Sequence, residues 1–212
     1  MLTDLTVQQL LERIGSGEPV PGGGSVAALA GALAASLTQM VARLTIGRGG
    51  DAAIEQRMSD LQEQASSLRE SLTLSIDRDS EAYAAVLAAF RMAKGTDEEK
   101  KARAAAVQEA FKEAARVPLS VAEMGTAVMG LAEIAITEGN KNAATDGLVG
   151  ALMARAAVFG AAANVRINLA SIADVAFKDV MAEKVSRLEK EATLREGRIM
   201  AAAAPIIEGT GK

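Results

Sequence analysis

The chain has 212 residues, half of them apolar, and a formal net charge of −4. It contains no histidine and no cysteine, which excludes disulfides, thiol catalysis, a Cys/His zinc site and imidazole acid–base chemistry. No basic block is present, so nucleic acid is not expected as the main partner, and any chemistry must use carboxylates, cationic side chains, hydroxyls, amides or the backbone.

The first predicted elements are a short helix over 7–14, capped by Thr6, and a glycine-rich segment, Pro21-Gly22-Gly23-Gly24-Ser25. Consecutive glycines let the backbone approach a ligand closely, and Ser25 is expected to cap the helix that comes next. A helix start offers unpaired N–H groups and a partial positive charge, so it can hold an anion or a carbonyl. The spacing matches neither a P-loop nor a dinucleotide fingerprint, and a tight turn before a buried helix is the alternative interpretation.

The uncharged stretch from Val26 to Ala42 predicts the second helix. It is the one membrane-span candidate, but it is short and polar residues interrupt it, so we expect a buried helix of a cytoplasmic protein without a signal peptide. Small residues at steps of three and four form a stripe that permits close helix packing. A second copy of the chain is one candidate occupant of this stripe: Ala27, Gly31, Ala34, Thr38.

Asp51 is a plausible cap for a long helix that reaches about Lys94. Apolar residues from Ile54 to Leu72 alternate steps of four and three, which is the spacing of a packed helical seam. If the same spacing continues along the helix, Ser75 and Asp79 fall on this seam. A carboxylate on a core-facing stripe is costly unless it is paired or used, so Asp79 is a candidate functional residue. The alternative is that the seam drifts and Asp79 is solvated.

A capping box at Thr96-Asp97-Glu98-Glu99 predicts a helix that ends near Arg116, because Val117-Pro118 is expected to break it. Pro118 would then begin another helix ending near Glu138. A last helix is predicted from Asp174 to about Ala204, with a break at Gly197. No strand-like alternation or tandem repeat is found.

The second informative loop is Gly139-Asn140-Lys141-Asn142, with Thr145 and Asp146 shortly after it. Asn142 or Thr145 is expected to cap the next helix, and one interpretation is that Asn140, Asn142 and Asp146 only cap helices. Arg155 is the one charge between 147 and 165, which favours a structural ion pair.

Asn164 and Asn168 lie one turn apart on the helix after this loop. Their amides can pair across helices or line a site that another subunit completes. Asp146 and Asn164 are separated by about 27 Å along the helix, so they cannot contact one small group within one chain.

We therefore predict a single all-α domain over residues 1–212. It is a bundle of about six or seven helices, several of them long, that dimerises through helix packing.

Several segments, in this order and spacing, resemble the C-terminal family of formiminotransferase-cyclodeaminase, which includes stand-alone bacterial methenyltetrahydrofolate cyclohydrolases. They are Pro21–Ala28, Met40-Val41 with Leu44-Thr45-Ile46-Gly47, Asp79–Tyr83, Val117-Pro118-Leu119, Gly139–Asn142 with Asp146, and Asn164–Leu169. The resemblance implies an all-helical fold, at least a homodimer, and a folate site near the dimer interface. One departure is Arg48-Gly49-Gly50, where the family commonly has lysines and an aromatic residue.

The resemblance implies hydrolysis of 5,10-methenyltetrahydrofolate to 10-formyltetrahydrofolate, with a tetrahydrofolate derivative as substrate and no metal or tightly bound cofactor. One alternative is a 5-formiminotetrahydrofolate cyclodeaminase that releases ammonia. Another, from a different class, is a non-catalytic helical assembly module. Nucleic acid and membrane are not expected as partners, and the oligomer is a homodimer or larger.

The site residues are predicted from the residue pattern and the resemblance together. Asp79 is predicted as the principal carboxylate and Asp146 as the second, supplied from another helix or another subunit. The substrate-binding residues are predicted in four groups: Pro21, Gly22, Gly23, Gly24 and Ser25 as backbone donors; Asn140 and Asn142 for the pterin or water; Arg48 and Lys141 for the glutamate tail; Asn164 and Asn168 as lining amides.

Overall fold

A computed structural model describes residues 1–48 and 51–210, and this part of the chain contains helices and no strand. The Gly49-Gly50 part of the departure from the family pattern lies outside the described residues. Six α-helices are connected by short turns, with two 3₁₀ turns at Leu2–Asp4 and Lys141–Ala143. The helices are α1 (Val7–Ile14), α2 (Gly23–Arg43), α3 (Ala52–Arg91), α4 (Asp97–Glu138), α5 (Ala144–Leu169) and α6 (Val175–Ile207).

Helices α2 and α5 form the centre of the bundle, with α3 and α4 beside them and α6 packed on α4 and α5. The predicted small-residue stripe lies at this centre. A Cβ added to Gly31 would lie 2.9 Å from the Leu72 side chain and 3.5 Å from Ala157. The predicted close packing is therefore confirmed, and helices of the same chain fill the stripe.

The seam predicted along α3 is also confirmed. Met58, Leu61, Ala65 and Leu72 are buried at the predicted spacing, and Val86 continues the buried row beyond Asp79. The row places Asp79 on the inward side of α3, where it can take part in a site between helices.

The predicted helix break at Val117-Pro118 is wrong, because α4 runs through Pro118 to Glu138. Proline has no N–H, so the carbonyl of Ala114, four residues earlier, loses its helical donor. The Asn168 side chain supplies a replacement: its Nδ2 donates to the Ala114 oxygen at 2.9 Å. An amide from a neighbouring helix thus allows the two predicted helices to form one.

Other predicted boundaries have mixed outcomes. The side chains of Thr6, Asp51 and Thr96 cap their helices as predicted. The last helix begins where predicted, with Asp174 as its cap, and Gly197 lies inside α6 without a break. Ser25 is not a cap, because α2 begins at Gly23 with Gly22 as its N-cap. Two further predicted caps are wrong, since neither Asn142 nor Thr145 caps α5, which begins at Ala144 without a side-chain cap.

The predicted Arg155 ion pair is confirmed: its Nε lies 2.6 Å from Glu196 on α6. The guanidinium also lies 4.5 Å from the ring centroid of Phe159. Arg155 is half-buried, so this contact fixes α6 against α5 at the edge of the core.

Three segments are long and apolar enough to cross a membrane by length and composition alone: Gly23–Arg43, Asp97–Glu138 and Lys141–Leu169. Only the first of them was a span candidate on sequence grounds. In the structure all three lie in the bundle, and 61% of the most apolar window of α2 is buried there.

Candidate active site

A cleft of about 500 Å³ lies where the start of α2 meets the C-terminal third of α3, the centre of α4 and the end of α5. Gly22, Gly23 and Gly24 form one wall, and Asp79 projects from α3. Asn164 and Asn168 project from α5. The structure thus brings together three of the groups that the sequence predicted separately.

Asp79 is half-buried and bonded to the first turn of α2. The Ser25 hydroxyl donates to its Oδ2 at 3.0 Å and lies 3.2 Å from the Ser80 hydroxyl. The alternative that Asp79 is simply solvated is therefore wrong. The anion that the start of α2 holds is the protein's own carboxylate, placed where the helix dipole favours negative charge.

Gly24 is the point of closest approach between α2 and α3. A Cβ built on Gly24 would lie 2.0 Å from Asp79 Oδ1 and 2.6 Å from its Cγ. No side chain fits there while the carboxylate keeps its place. This close approach gives Gly24 a physical role in the site. Gly23 is less constrained, because a Cβ built on it would lie 3.5 Å from the Asn164 amide, which is an ordinary contact distance.

Two opposing influences act on the Asp79 carboxyl. Burial raises its pKa above the ordinary value of 3.8, while the Ser25 hydroxyl and backbone N–H lower it. Burial is the larger effect, so the net pKa is raised. Such a group accepts and returns a proton more readily near neutral pH than an exposed aspartate does.

The side-chain amides of Asn164 and Asn168 donate hydrogen bonds to backbone carbonyls. Asn168 Nδ2 donates to Ala114 and to the Asn164 carbonyl at 2.8 Å, which uses both of its amide hydrogens. Asn164 Nδ2 donates to the Gly160 carbonyl at 2.8 Å. The predicted pairing across helices is thus found for Asn168, and its Oδ1 is the atom still available to a ligand.

The other predicted residues lie at the far end of α2. The Asn140 N–H donates to Thr45 Oγ1 at 2.9 Å, and Asn140 Nδ2 donates to the Leu44 carbonyl at 3.2 Å. Its Oδ1 accepts from the Asn142 N–H at 3.1 Å, so Asn140 caps the 3₁₀ turn as the alternative interpretation predicted.

Asp146 lies in the first turn of α5, about 27 Å from Asn164 along the helix axis. Lys141, Asn142 and the exposed Arg48 lie with it at this end of the molecule. One chain therefore does not bring these residues to the Asp79 cleft.

The aromatic lining of the cleft was not predicted from the sequence. Tyr83, Phe90 and Phe111 line it, and the rings of Phe90 and Phe111 meet edge to face with centroids 6.0 Å apart. The signal was present in the α3 seam, because Tyr83, Val86 and Phe90 come after Asp79 at steps of four and three.

Within residues 1–48 and 51–210, no three of Asp, Glu, His and Cys come together as a candidate metal site.

The comparison with protein families decides the membership of the chain. The sequence profile described as Formiminotransferase-cyclodeaminase matches residues 6–187. The chain belongs to this family. The methenyltetrahydrofolate cyclohydrolase of Methylorubrum extorquens is 40% identical over 194 residues, which cover 92% of this chain and 93% of that protein.

Two other relatives are more distant. The formimidoyltransferase-cyclodeaminase of Rattus norvegicus is 33% identical over 94% of this chain, which spans 37% of the rat protein. The crystal structure of formiminotetrahydrofolate cyclodeaminase from Thermotoga maritima superposes with a TM-score of 0.87 at 28% identity, covering 98% of this chain and all of that one. The all-helical fold is thus shared with a solved member of the family.

Proposed function

We propose that this chain hydrolyses 5,10-methenyltetrahydrofolate to 10-formyltetrahydrofolate. The observation that supports this most directly is the 40% identity to a methenyltetrahydrofolate cyclohydrolase, which extends over nearly the full length of both chains. The cleft adds a chemical reason, because it holds a carboxyl of raised pKa beside neutral hydroxyl and amide groups.

The proposed reaction needs one group that exchanges protons with the substrate. Water adds to the cationic carbon that bridges N5 and N10, and the Asp79 carboxylate accepts the proton that the water loses. The tetrahedral adduct then collapses: the carbon–oxygen double bond forms, the bond from carbon to N5 breaks, and Asp79 returns its proton to N5. The remaining hydroxyl proton leaves to solvent, so one proton is released per turnover.

The substrate charge fits this cleft. The methenyl form is a cation, and the ionised Asp79 attracts it and stabilises the positive carbon before water attacks. The Ser25 hydroxyl holds Oδ2 of Asp79, and the carboxylate lines the cleft, where it can orient the attacking water. The proposed steps use no metal and no bound cofactor.

The test is the loss of methenyltetrahydrofolate absorbance with purified protein against a no-enzyme control for spontaneous hydrolysis. Accelerated loss without turnover of the formimino substrate supports the cyclohydrolase. Release of ammonia from 5-formiminotetrahydrofolate would instead establish the cyclodeaminase, the alternative that the Thermotoga structure favours. No activity with either substrate would favour a helical assembly module.

We further propose that the protein acts as a cytoplasmic homodimer built on the outer face of α2 and α5. Val26, Leu33 and Met40 recur every seven residues on α2 and are 37%, 45% and 36% exposed. Val149 and Leu152 of α5 are 49% and 43% exposed. Exposed apolar residues that recur along one side of a helix are typical of a subunit interface.

A two-fold axis perpendicular to α2 would also complete the site. Helix α2 is about 30 Å long, and such an axis places the start of one α2 beside the end of the other. Asp146, Lys141 and Asn142 of one chain would then approach the Asp79 cleft of the other. This arrangement supports a role for the residues that a single chain leaves far from the cleft.

Two experiments test the dimer. Leu33→Glu should yield a monomer by light scattering, whereas Leu194→Glu, an equally drastic change at a 59% exposed position on α6, should leave the dimer intact. Mixing inactive Asp79→Asn and Asp146→Asn chains after unfolding and refolding should restore activity, because one site of each mixed dimer has both carboxylates. A dimer without restored activity would contradict the shared site.

A further inference from the structure

The Asp79 cleft has two chemically different ends. Asp79, Ser80 and Asn164 give one end polar side chains next to the glycine backbone. The other end is lined mostly by apolar groups, with the Asn168 amide beside Ala114: Val86, Leu87, Phe90, Phe111 and Ala114. Helix α3 connects the two ends, and its rise from Asp79 to Phe90 is about 16 Å.

A positioned cation stands at the apolar end. Arg103 Nε donates to the Phe90 carbonyl at 3.1 Å, and its guanidinium carbon lies 5.6 Å from the Phe90 ring centroid. In the part of the chain that the structure describes, no carboxylate forms an ion pair with Arg103. Arg116, on the same helix, pairs with Glu109 and Glu113 instead.

Both contacts hold the Arg103 guanidinium against Phe90, and within the described residues no carboxylate neutralises its terminal nitrogens. A guanidinium held in this way suits a carboxylate ligand, because it binds both oxygens of the acid through parallel hydrogen bonds. Phe90 is itself 44% exposed, so an apolar ring lies open next to the cation.

We propose that Arg103 binds the glutamate carboxylates of the folate substrate and that the cleft therefore accepts the substrate in one direction. The proposal rests on the proposed function. The pterin lies at the Asp79 end, the aryl ring lies against Phe90 and Phe111, and the glutamate extends past Phe90 to Arg103.

The chemistry of the substrate supports this direction. The pterin edge carries several donors and acceptors, which require polar partners such as those around Asn164. The aryl ring carries none and gains from an edge-to-face or stacked contact with phenylalanine rings. The reactive carbon, between N5 and N10, joins these two parts, so this direction brings it to Asp79. Arg48 and Lys141, the cations that the sequence predicted for the tail, reach the cleft only through a second chain.

The experiment crosses an enzyme change with a substrate change. KM is measured for methenyltetrahydrofolate and for an analogue whose glutamate is replaced by a neutral methylamide. Arg103→Gln should raise KM for the natural substrate roughly tenfold, the scale of a charge-assisted hydrogen bond at a half-exposed site. The same variant should leave KM for the neutral analogue unchanged. Arg103→Lys, which keeps the charge and loses the planar fork, should fall between wild type and Arg103→Gln.

Lys101→Gln is the matched control, because it removes an equally charged, exposed side chain from the same turn of α4. Its effect on KM should stay within about twofold, as expected for a screened surface charge. If Arg103→Gln changes KM equally for both substrates, Arg103 only holds α3 and α4 together and the proposal is wrong. No change for either substrate overturns it as well. A wild-type protein inactive on methenyltetrahydrofolate would instead refute the proposed function, a separate result obtained before any variant is made.

Discussion

Gly24→Ala is the most direct test of the site, because it adds one methyl group at the contact between α2 and Asp79. The new Cβ would lie 2.0, 2.6 and 2.8 Å from the Oδ1, Cγ and Oδ2 atoms of that carboxyl. Non-bonded carbon contacts are favourable at about 3.5–4.0 Å, so the carboxyl must move by more than about 1 Å. A displacement of that size lowers turnover by roughly 100-fold. The assay is the loss of methenyltetrahydrofolate absorbance.

Two controls separate this displacement from ordinary effects of glycine replacement. Gly197→Ala lies in α6 with open space around its Cβ, so it should keep activity and stabilise the helix by up to about 1 kcal/mol. The clash with the Asp79 carboxyl should also make Gly24→Ala destabilise the otherwise wild-type protein. In an Asp79→Ala background this destabilisation should disappear, because the displaced carboxyl is absent. Turnover within about twofold of wild type for the Gly24→Ala protein would refute the assigned role of this contact.

Three further predictions concern the same cleft. Asp79→Asn should lower kcat at least about 100-fold. It should leave thermal stability at pH 7 unchanged or higher. Because the pKa of Asp79 is raised in the folded state, the folded protein binds the proton more tightly than the unfolded chain, and ionisation of Asp79 costs stability as the pH rises above its folded pKa. Ser25→Ala removes a donor that lowers the Asp79 pKa, so the acid limb of kcat/KM should move to higher pH, whereas Ser36→Ala, a change on the same helix, should leave it in place. Asn168→Ala should cost about 1–3 kcal/mol of unfolding free energy in chemical denaturation, and less in a Pro118→Ala background whose new N–H pairs with the freed carbonyl.

The position of Asp79 could be predicted because the information is local. Apolar residues spaced by three and four define the inner face of α3, and Met58 to Leu72 show this face before Asp79 interrupts it. Helical geometry alone then places the carboxylate against the core. Because burial disfavours the charged form of a carboxyl, the upward direction of its pKa shift could be anticipated on the same grounds.

The continuity of α4 could not be predicted, because it depends on a residue far along the chain. A proline preceded by a long charged helix normally ends that helix. Here the donor that Ala114 lacks is supplied by Asn168, 54 positions away. The same bond explains why one of the predicted ligand-binding amides is committed to the fold.

The error at Ser25 shows how the site is assembled. A serine after three glycines is a good cap by local rules, yet α2 begins two residues earlier and turns Ser25 inward. The side chain then has an acceptor that local reasoning does not supply, the carboxylate of Asp79 on another helix. The gain is chemical: the helix start and Ser25 favour the ionised form while burial favours the protonated form, with burial the stronger. A chain without histidine can obtain a proton acceptor of raised pKa through such a balance, provided that Gly24 leaves the carboxyl its place.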